Sequence, residues 1–212
     1  MNLSFLKDIQ REHFNEVATE LMNHYCILKH DSRDDCDIIY RFAEIEFYLY
    51  DANEQDIDID INTYCRDCKC EEWFFHTSGV DIAFETIRED NELMRFGGIL
   101  IRGIEIYKQD EQKQWKQIGA IGGPKLSMYE IFNHCSDMPD VITIPDTFNK
   151  DRKIGNATKR IGIKDNLCQR FVFNDVNWDK PTKRIVETKD KTGKYHVILE
   201  CTTKKYNPKP QL

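Results

Sequence analysis

The residues of this chain best suited to chemistry are two glutamates and a tyrosine at alternate positions, Glu44, Glu46 and Tyr48. They lie in DIIYRFAEIEFYLYD, residues 37–51. Ala43, Ile45, Phe47 and Leu49 hold its odd positions; Phe42, Glu44, Glu46, Tyr48 and Tyr50 hold the even ones. Side chains alternate across a strand, so strict alternation puts the carboxylates and Tyr48 on one face. Such a carboxylate can act as a general base or hold a cation. Charged side chains are seldom buried, so the pattern favours a solvated sheet face over a cleft floor. Arg102, in GGILIRGIEIYK (97–108), shares a face by alternation with Leu100, Ile104 and Ile106. A structural ion pair is expected there, with Glu44, Glu46, Asp81 or Glu85 on neighbouring strands.

The second chemical cluster is Cys65-x-x-Cys68-x-Cys70, with His76 six residues on. These are zinc-ligand types, but a strong zinc pattern has two spaced pairs, and this is one crowded cluster. The first residues lack a signal-peptide apolar region, so the eight cysteines are expected to be reduced thiols rather than a disulfide framework. No metal and no cofactor is expected. No apolar run approaches the ~20 residues of a membrane span. The expectation is a cytoplasmic monomer without membrane contact.

These groups need a scaffold. The 212 residues, 25.1 kDa, are enough for one domain with its own core. With 40% apolar, 11% aromatic and 32% charged residues, the composition is that of a globular chain and excludes collagen-like and disordered classes. Phe14, Val17, Ala18, Leu21, Met22 and Tyr25 recur at helical spacing and predict an amphipathic helix over 12–25. Strand signals follow at Cys26–Leu28, at Ile38–Asp51, in WFFHTSGVDIAFE with a turn at Ser78-Gly79, at 97–108 and at RFVFND (170–175). GGPKLSMYEIFNH reads as a Gly-Pro turn into a short helix. Residues 51–72 form an acidic loop, and 136–170 read as irregular and basic. Residues 180–203 read as a hairpin turning near Lys191-Thr192-Gly193, an addition to a core of about 12–175. The result is one α+β domain, 1–212, around a curved antiparallel sheet.

Charge is divided. Residues 1–149 carry 14 Lys+Arg against 30 Asp+Glu, and residues 150–212 carry 16 against 7. Only the last third could offer phosphates a basic face, through Lys150, Arg152, Lys153, Lys159 and Arg160, and the acidic front would oppose it.

The order of these pieces resembles the alkyladenine (3-methyladenine) DNA glycosylase family. The quoted residues are FNEVATELM (14–22), AEIEFYL (43–49), FFHTSGVDIAFE (74–85), ILIRGIEI (99–106), GGPKLSMYEIF (122–132), RIGI (160–163) and RFVF (170–173). The resemblance implies a base-excision-repair hydrolase that flips a damaged purine out of DNA and cleaves its N-glycosidic bond. It implies Glu46 as the group activating water, Tyr48 and Phe75 stacking the base, and Arg102 in the pocket. His76, Ser78 and Glu85 would complete the substrate-binding set. Departures mark a divergent member: Ser78 stands where the family wedges a tyrosine into the base stack, and Glu85 replaces a pocket asparagine. No histidine occurs at 55–58. A non-catalytic nucleic-acid-binding or interaction module, and a hydrolase of a small nucleoside-like ligand, are the other functions open to such a sequence.

Overall fold

The computed structural model describes residues 3–54, 59–135, 141–148, 151–164, 167–189 and 195–204. Short 3-10 turns at Ser4–Leu6 and Arg11–His13 lead into helix α1, Phe14–His24. The strands are β1 (Tyr25–Asp31), β2 (Cys36–Asp51), β3 (Trp73–His76), β4 (Gly79–Ala83), β5 (Ile87–Glu89), β6 (Glu92–Gln109) and β7 (Trp115–Gly122). Helix α2 (Pro124–Phe132) precedes β8 (Val141–Pro145), β9 (Thr158–Lys159), β10 (Cys168–Val172), β11 (Lys180–Lys189) and β12 (Tyr195–Lys204). Strands β5, β7, β8 and β9 were not anticipated. They are short or carry mixed patterns, and β8 and β9 lie in the stretch expected to be irregular.

Ten strands form one antiparallel sheet, with path β3-β4-β6-β2-β1-β8. The long strands β2 and β6 are its spine, paired from Ile38↔Lys108 to Asp51↔Arg95. β4, β5 and β7 flank β6, while β1 and β10 flank β2. The ends of the path approach each other: Trp73 of β3 donates its indole N–H to the Val141 carbonyl of β8 at 3.3 Å. The expected curved α+β architecture is therefore present. The C-terminal hairpin β11–β12 forms a separate two-stranded sheet from Lys180↔Lys204 to Lys189↔Tyr195; its turn lies outside the described residues.

One apolar cluster joins α1 to the sheet through Phe14, Val17, Leu21 and Met22, with Ile131 of α2 in the same cluster. Phe47 sits at its centre, its ring 4.3 Å from Phe14 and 5.4 Å from Phe171. Burying each such side chain contributes about 1.5–3 kcal/mol. Lys29, also buried, donates to the Glu130 carbonyl (3.1 Å) and to Asn133 Oδ1 (2.8 Å) at the C-terminal end of α2. Burial pushes its ammonium below the ordinary value, and its place at the negative end of a helix compensates in part.

The central irregularity is a double bulge. Phe42 pairs with Ile104, Glu44 with Gly103 and Ile45 with Ile101, so the ladder skips Ala43 on β2 and Arg102 on β6. The core face changes parity there. It takes Ile38, Tyr40 and Phe42 before the bulge and Ile45, Phe47 and Leu49 after it; on β6 it takes Ile99 and Ile101, then Ile104 and Ile106. Strict alternation therefore misplaces Phe42, which faces the core and not the glutamates. It also misplaces Ile104 and Ile106, which do not share the Arg102 face.

Gly103 makes room for this crossing. A Cβ there would lie 2.5 Å from the Trp178 ring and 3.1 Å from Glu44 Cβ. Trp178 also covers Gly122, and Asp179 N–H bonds the Ala120 carbonyl at 2.8 Å, which seats the segment before the hairpin on β7. Overpacking of this kind costs about 1–3 kcal/mol. Gly103→Ala should lower the unfolding free energy by that amount, read as a lower urea midpoint with the m-value unchanged; an unaltered midpoint would mean that Trp178 does not seat there in solution.

Candidate functional site

The non-core face of the spine is a buried polar network instead of the solvated face expected from its sequence. Glu44 is 7% exposed and Glu46 0%. Arg102 bridges them, Nε to Glu44 Oε1 at 3.0 Å and Nη1 to Glu46 Oε2 at 3.2 Å. Arg170 of β10 adds a 2.7 Å bond to Glu44 Oε1. Glu46 also accepts the Tyr48 hydroxyl on Oε2 (3.0 Å) and the Ile161 backbone N–H on Oε1 (2.8 Å). Burial first, then the Glu46 charge, pushes the Tyr48 phenol well above its ordinary 10, so it stays a protonated donor.

Two loops cover this face. Arg160 and Asp60 form a fully buried bidentate pair, Nη1–Oδ2 at 2.6 Å and Nη2–Oδ1 at 2.9 Å. The Arg160 guanidinium also lies 4.5 Å from the Tyr48 ring centroid. Burial alone would raise the Asp60 carboxyl; the Arg160 bonds and charge outweigh it and hold the group below its ordinary 3.8. On the far side, Asp81 of β4 accepts from Arg66 Nη1 at 2.6 Å and lies 2.9 Å from His76 Nε2. The Ser78 N–H can only donate, and it reaches His76 Nδ1 at 3.3 Å. Nδ1 is thus the acceptor, and Nε2 carries the proton given to Asp81.

Between these walls opens a cleft of about 320 Å³. It is lined by Tyr48, Leu100, His76, Ser78 and Asp81 from the sheet and its β3–β4 turn, and by Ile61, Asn62, Thr63, Tyr64 and Ile163 from the loops. The Tyr64 ring lies 4.7 Å from His76, and its hydroxyl is 3.1 Å from Thr77 Oγ1. The cleft offers hydroxyls, an amide and apolar surface. The carboxylates in and behind its walls are already paired to guanidinium groups. Such a site can bind and orient a ligand.

Of the anticipated site residues, Glu46, Tyr48, Arg102, His76 and Ser78 converge here, with Glu46 and Arg102 behind the cleft wall. Phe75 does not join them: it points to the opposite face, 44% exposed, edge-on to Phe132 at 4.8 Å. Glu85 is turned aside to accept the Cys70 N–H at 2.8 Å. The anticipated phosphate contacts are also dispersed. Arg160 is buried on Asp60, and Arg152 is held by Glu105 and Asp175, each at 2.6 Å. Lys153 and Lys159 are exposed, and Lys150 lies outside the described residues. Asp60, Tyr64 and Arg66 were missed, because a loop without periodicity carries no sign of partners 12 to 100 residues away.

Among the described residues, no group of three or more His, Cys, Asp or Glu side chains is placed to hold a metal ion. Cys70 directs its thiol to the Leu3 carbonyl, and burial pushes it up to about 11. Among the described residues, no helix is long and apolar enough to cross a membrane. No protein-family model, curated protein or solved structure matches the chain.

The Asp60–Arg160 pair yields two predictions. Arg160→Ala strands a buried carboxylate and should destabilise the fold by about 3–5 kcal/mol, read from urea melts; a loss under ~1 kcal/mol would mean the pair is solvated. The pH dependence follows from the depressed carboxyl. Its stabilisation is present above 3.8 and is lost as pH falls toward the folded value. Asp60→Asn should therefore flatten the acid limb of thermal stability below the ordinary carboxyl value of 3.8; an unchanged limb would place the titration elsewhere.

Proposed function

We propose that the chain is a non-catalytic binding module, with the Tyr48–His76 cleft as its site and Glu46 as a buried strut behind it. The observation that carries this reading is the state of Glu46. Its side chain is fully enclosed, and its two oxygens accept from Ile161 N–H, the Tyr48 hydroxyl and Arg102. A general base must hold the attacking water within hydrogen-bond reach. Here three protein donors already meet the carboxylate, and the side chain is closed to water.

A second reading is favoured by the convergence of Glu46, Tyr48 and Arg102 with His76 and Ser78. It is the divergent DNA-3-methyladenine glycosylase-like hydrolase that the resemblance implies. It would cleave the N-glycosidic bond of a damaged purine in DNA once binding opens Glu46 to water. DNA contact would then be weak and salt-sensitive, since Arg152 and Arg160 are already paired.

One experiment separates the two. Abasic-site formation is followed on hypoxanthine- and methyladenine-containing DNA, single- and double-stranded, with the wild-type chain and Glu46→Gln. The binding-module reading expects no product from either protein. It also expects a stability loss of about 1.5–3 kcal/mol in Glu46→Gln, since a charged acceptor of three hydrogen bonds is removed. Product from the wild type that vanishes in Glu46→Gln would establish the hydrolase instead.

A further inference from the structure

The path of the main sheet ends in two strands with one partner each: β8 pairs only with β1, and β3 only with β4. In an antiparallel ladder, alternate residues turn both backbone groups to the neighbouring strand, and the residues between them turn theirs away. The Asp146 N–H bonds the His24 carbonyl at 2.7 Å, in phase with the β1–β8 register, so Ile144 and Ile142 also face β1. Val141, Thr143 and Pro145 then face outward. The Val141 carbonyl meets the Trp73 indole at 3.3 Å, and Pro145 has no N–H to satisfy, as suits an edge. The Thr143 N–H and carbonyl have no hydrogen-bond partner among the described residues.

These outward groups open on a groove. A cavity of about 290 Å³ is lined by Val141, Ile142, Thr143 and Ile144 in succession, with Glu71 and Trp73 across from them. Alternate residues line the face of a strand, whereas four successive ones line its edge. Natural edges are commonly blunted by lysines or other charges. VITIP, residues 141–145, carries no charge and is β-branched at four of its five positions; Ile142 is 44% exposed. A donor and an acceptor on one residue, repeated along an extended strand, match another extended backbone. Glu71 and Trp73 stand where the neighbouring strands of a second copy's sheet would have to lie. A single segment brings no such neighbours.

We propose that the β8 edge takes up an extended segment of a partner protein as an added strand, paired with Val141 and Thr143 and setting apolar side chains beside Ile142 and Ile144. The site shares no residue with the Tyr48–His76 cleft and stands under either reading of that cleft. In the unbound chain the Trp73 indole holds the Val141 carbonyl; the incoming strand replaces it with a backbone N–H. Main-chain hydrogen bonds supply the pairing, and the alternate apolar positions supply the selectivity.

The test selects random peptides displayed on phage against the immobilised full chain, and titrates synthetic copies of the enriched peptides by fluorescence polarisation. Enriched sequences should carry Val, Ile, Leu or Phe at alternate positions. N-methylation scanned along such a peptide removes one amide donor at a time, and the loss should be strongest at every second residue, about tenfold at each. Ile142→Lys, at an exposed position and checked for folding by circular dichroism, should weaken binding about tenfold or more. Amide exchange followed by NMR should show the Thr143 N–H slowed when peptide is bound. Failure to enrich, N-methylation without a two-residue period, indifference to Ile142→Lys, or unchanged exchange at Thr143 would each overturn the proposal. A concentration-dependent dimer of the peptide-free chain, seen in sedimentation and dissociated by Ile142→Lys, would give the edge to a second copy and overturn it as well.

Discussion

The polar half of this molecule depends on Arg102. Glu44 and Glu46 project from the same face of one strand, two residues apart, in a region closed to water. Removing even one carboxylate from water costs several kcal/mol after relaxation, and two at this spacing also repel. One guanidinium reaching both, with Arg170 behind Glu44, makes the arrangement tolerable. The double bulge makes that reach available. The β2–β6 ladder skips Arg102, and its carbonyl accepts the Gly123 N–H at 2.7 Å on the β7 side. Bulges commonly re-aim a side chain in this way.

The two faces of the sheet are held by different physics. One is hydrocarbon, tolerant in detail and additive in area. The other is a series of carboxylate–guanidinium pairs: Asp81–Arg66, Glu46–Arg102, Glu44–Arg170, Glu105–Arg152, Arg41–Asp146 and Asp60–Arg160. An exposed pair such as Arg88–Asp67 adds little, because water screens it and both side chains stay mobile. The enclosed pairs differ because each fails if either member is lost. They fix loops over the sheet at defined places, and the cleft is the space those loops leave.

The helix at 14–24, the strand at 36–51 and the strand at 92–109 were legible because each carries a long run of one periodicity. That Glu46 and Tyr48 share a face was legible for the same reason, since residues two apart on a strand do so; the pairing of Arg102 was legible only as a choice among Glu44, Glu46, Asp81 and Glu85. The solvated-face reading failed because exposure depends on what lies above a face, and the covering residues come from loops and from β10, up to 126 positions away in the chain. Phe42, Ile104 and Ile106 were misplaced because alternation has no means of registering a skipped residue. Phe75 lay one residue out of phase with His76 on the same short strand. The arginines of the last third looked like a nucleic-acid surface only while their carboxylate partners were unknown.

The seating of Trp178 on Gly103 and Gly122 carries a consequence for the order in which the chain can fold. The hydrocarbon face is assembled largely from residues before 132. The polar face is finished by Asp146, Arg152, Arg160, Ile161 N–H, Arg170 and then Trp178, all synthesised after the strands they cover. Until they arrive, Glu44, Glu46 and Glu105 keep their water, and the long pair β2–β6 can form with its second face wet. Closure of that face is then a late, long-range step, of the kind that slows folding through loop-closure entropy. A nascent chain halted before residue 178 would carry an apolar core already packed beneath an unfinished layer of charge. It would be held from aggregation by the same carboxylates that the finished protein encloses.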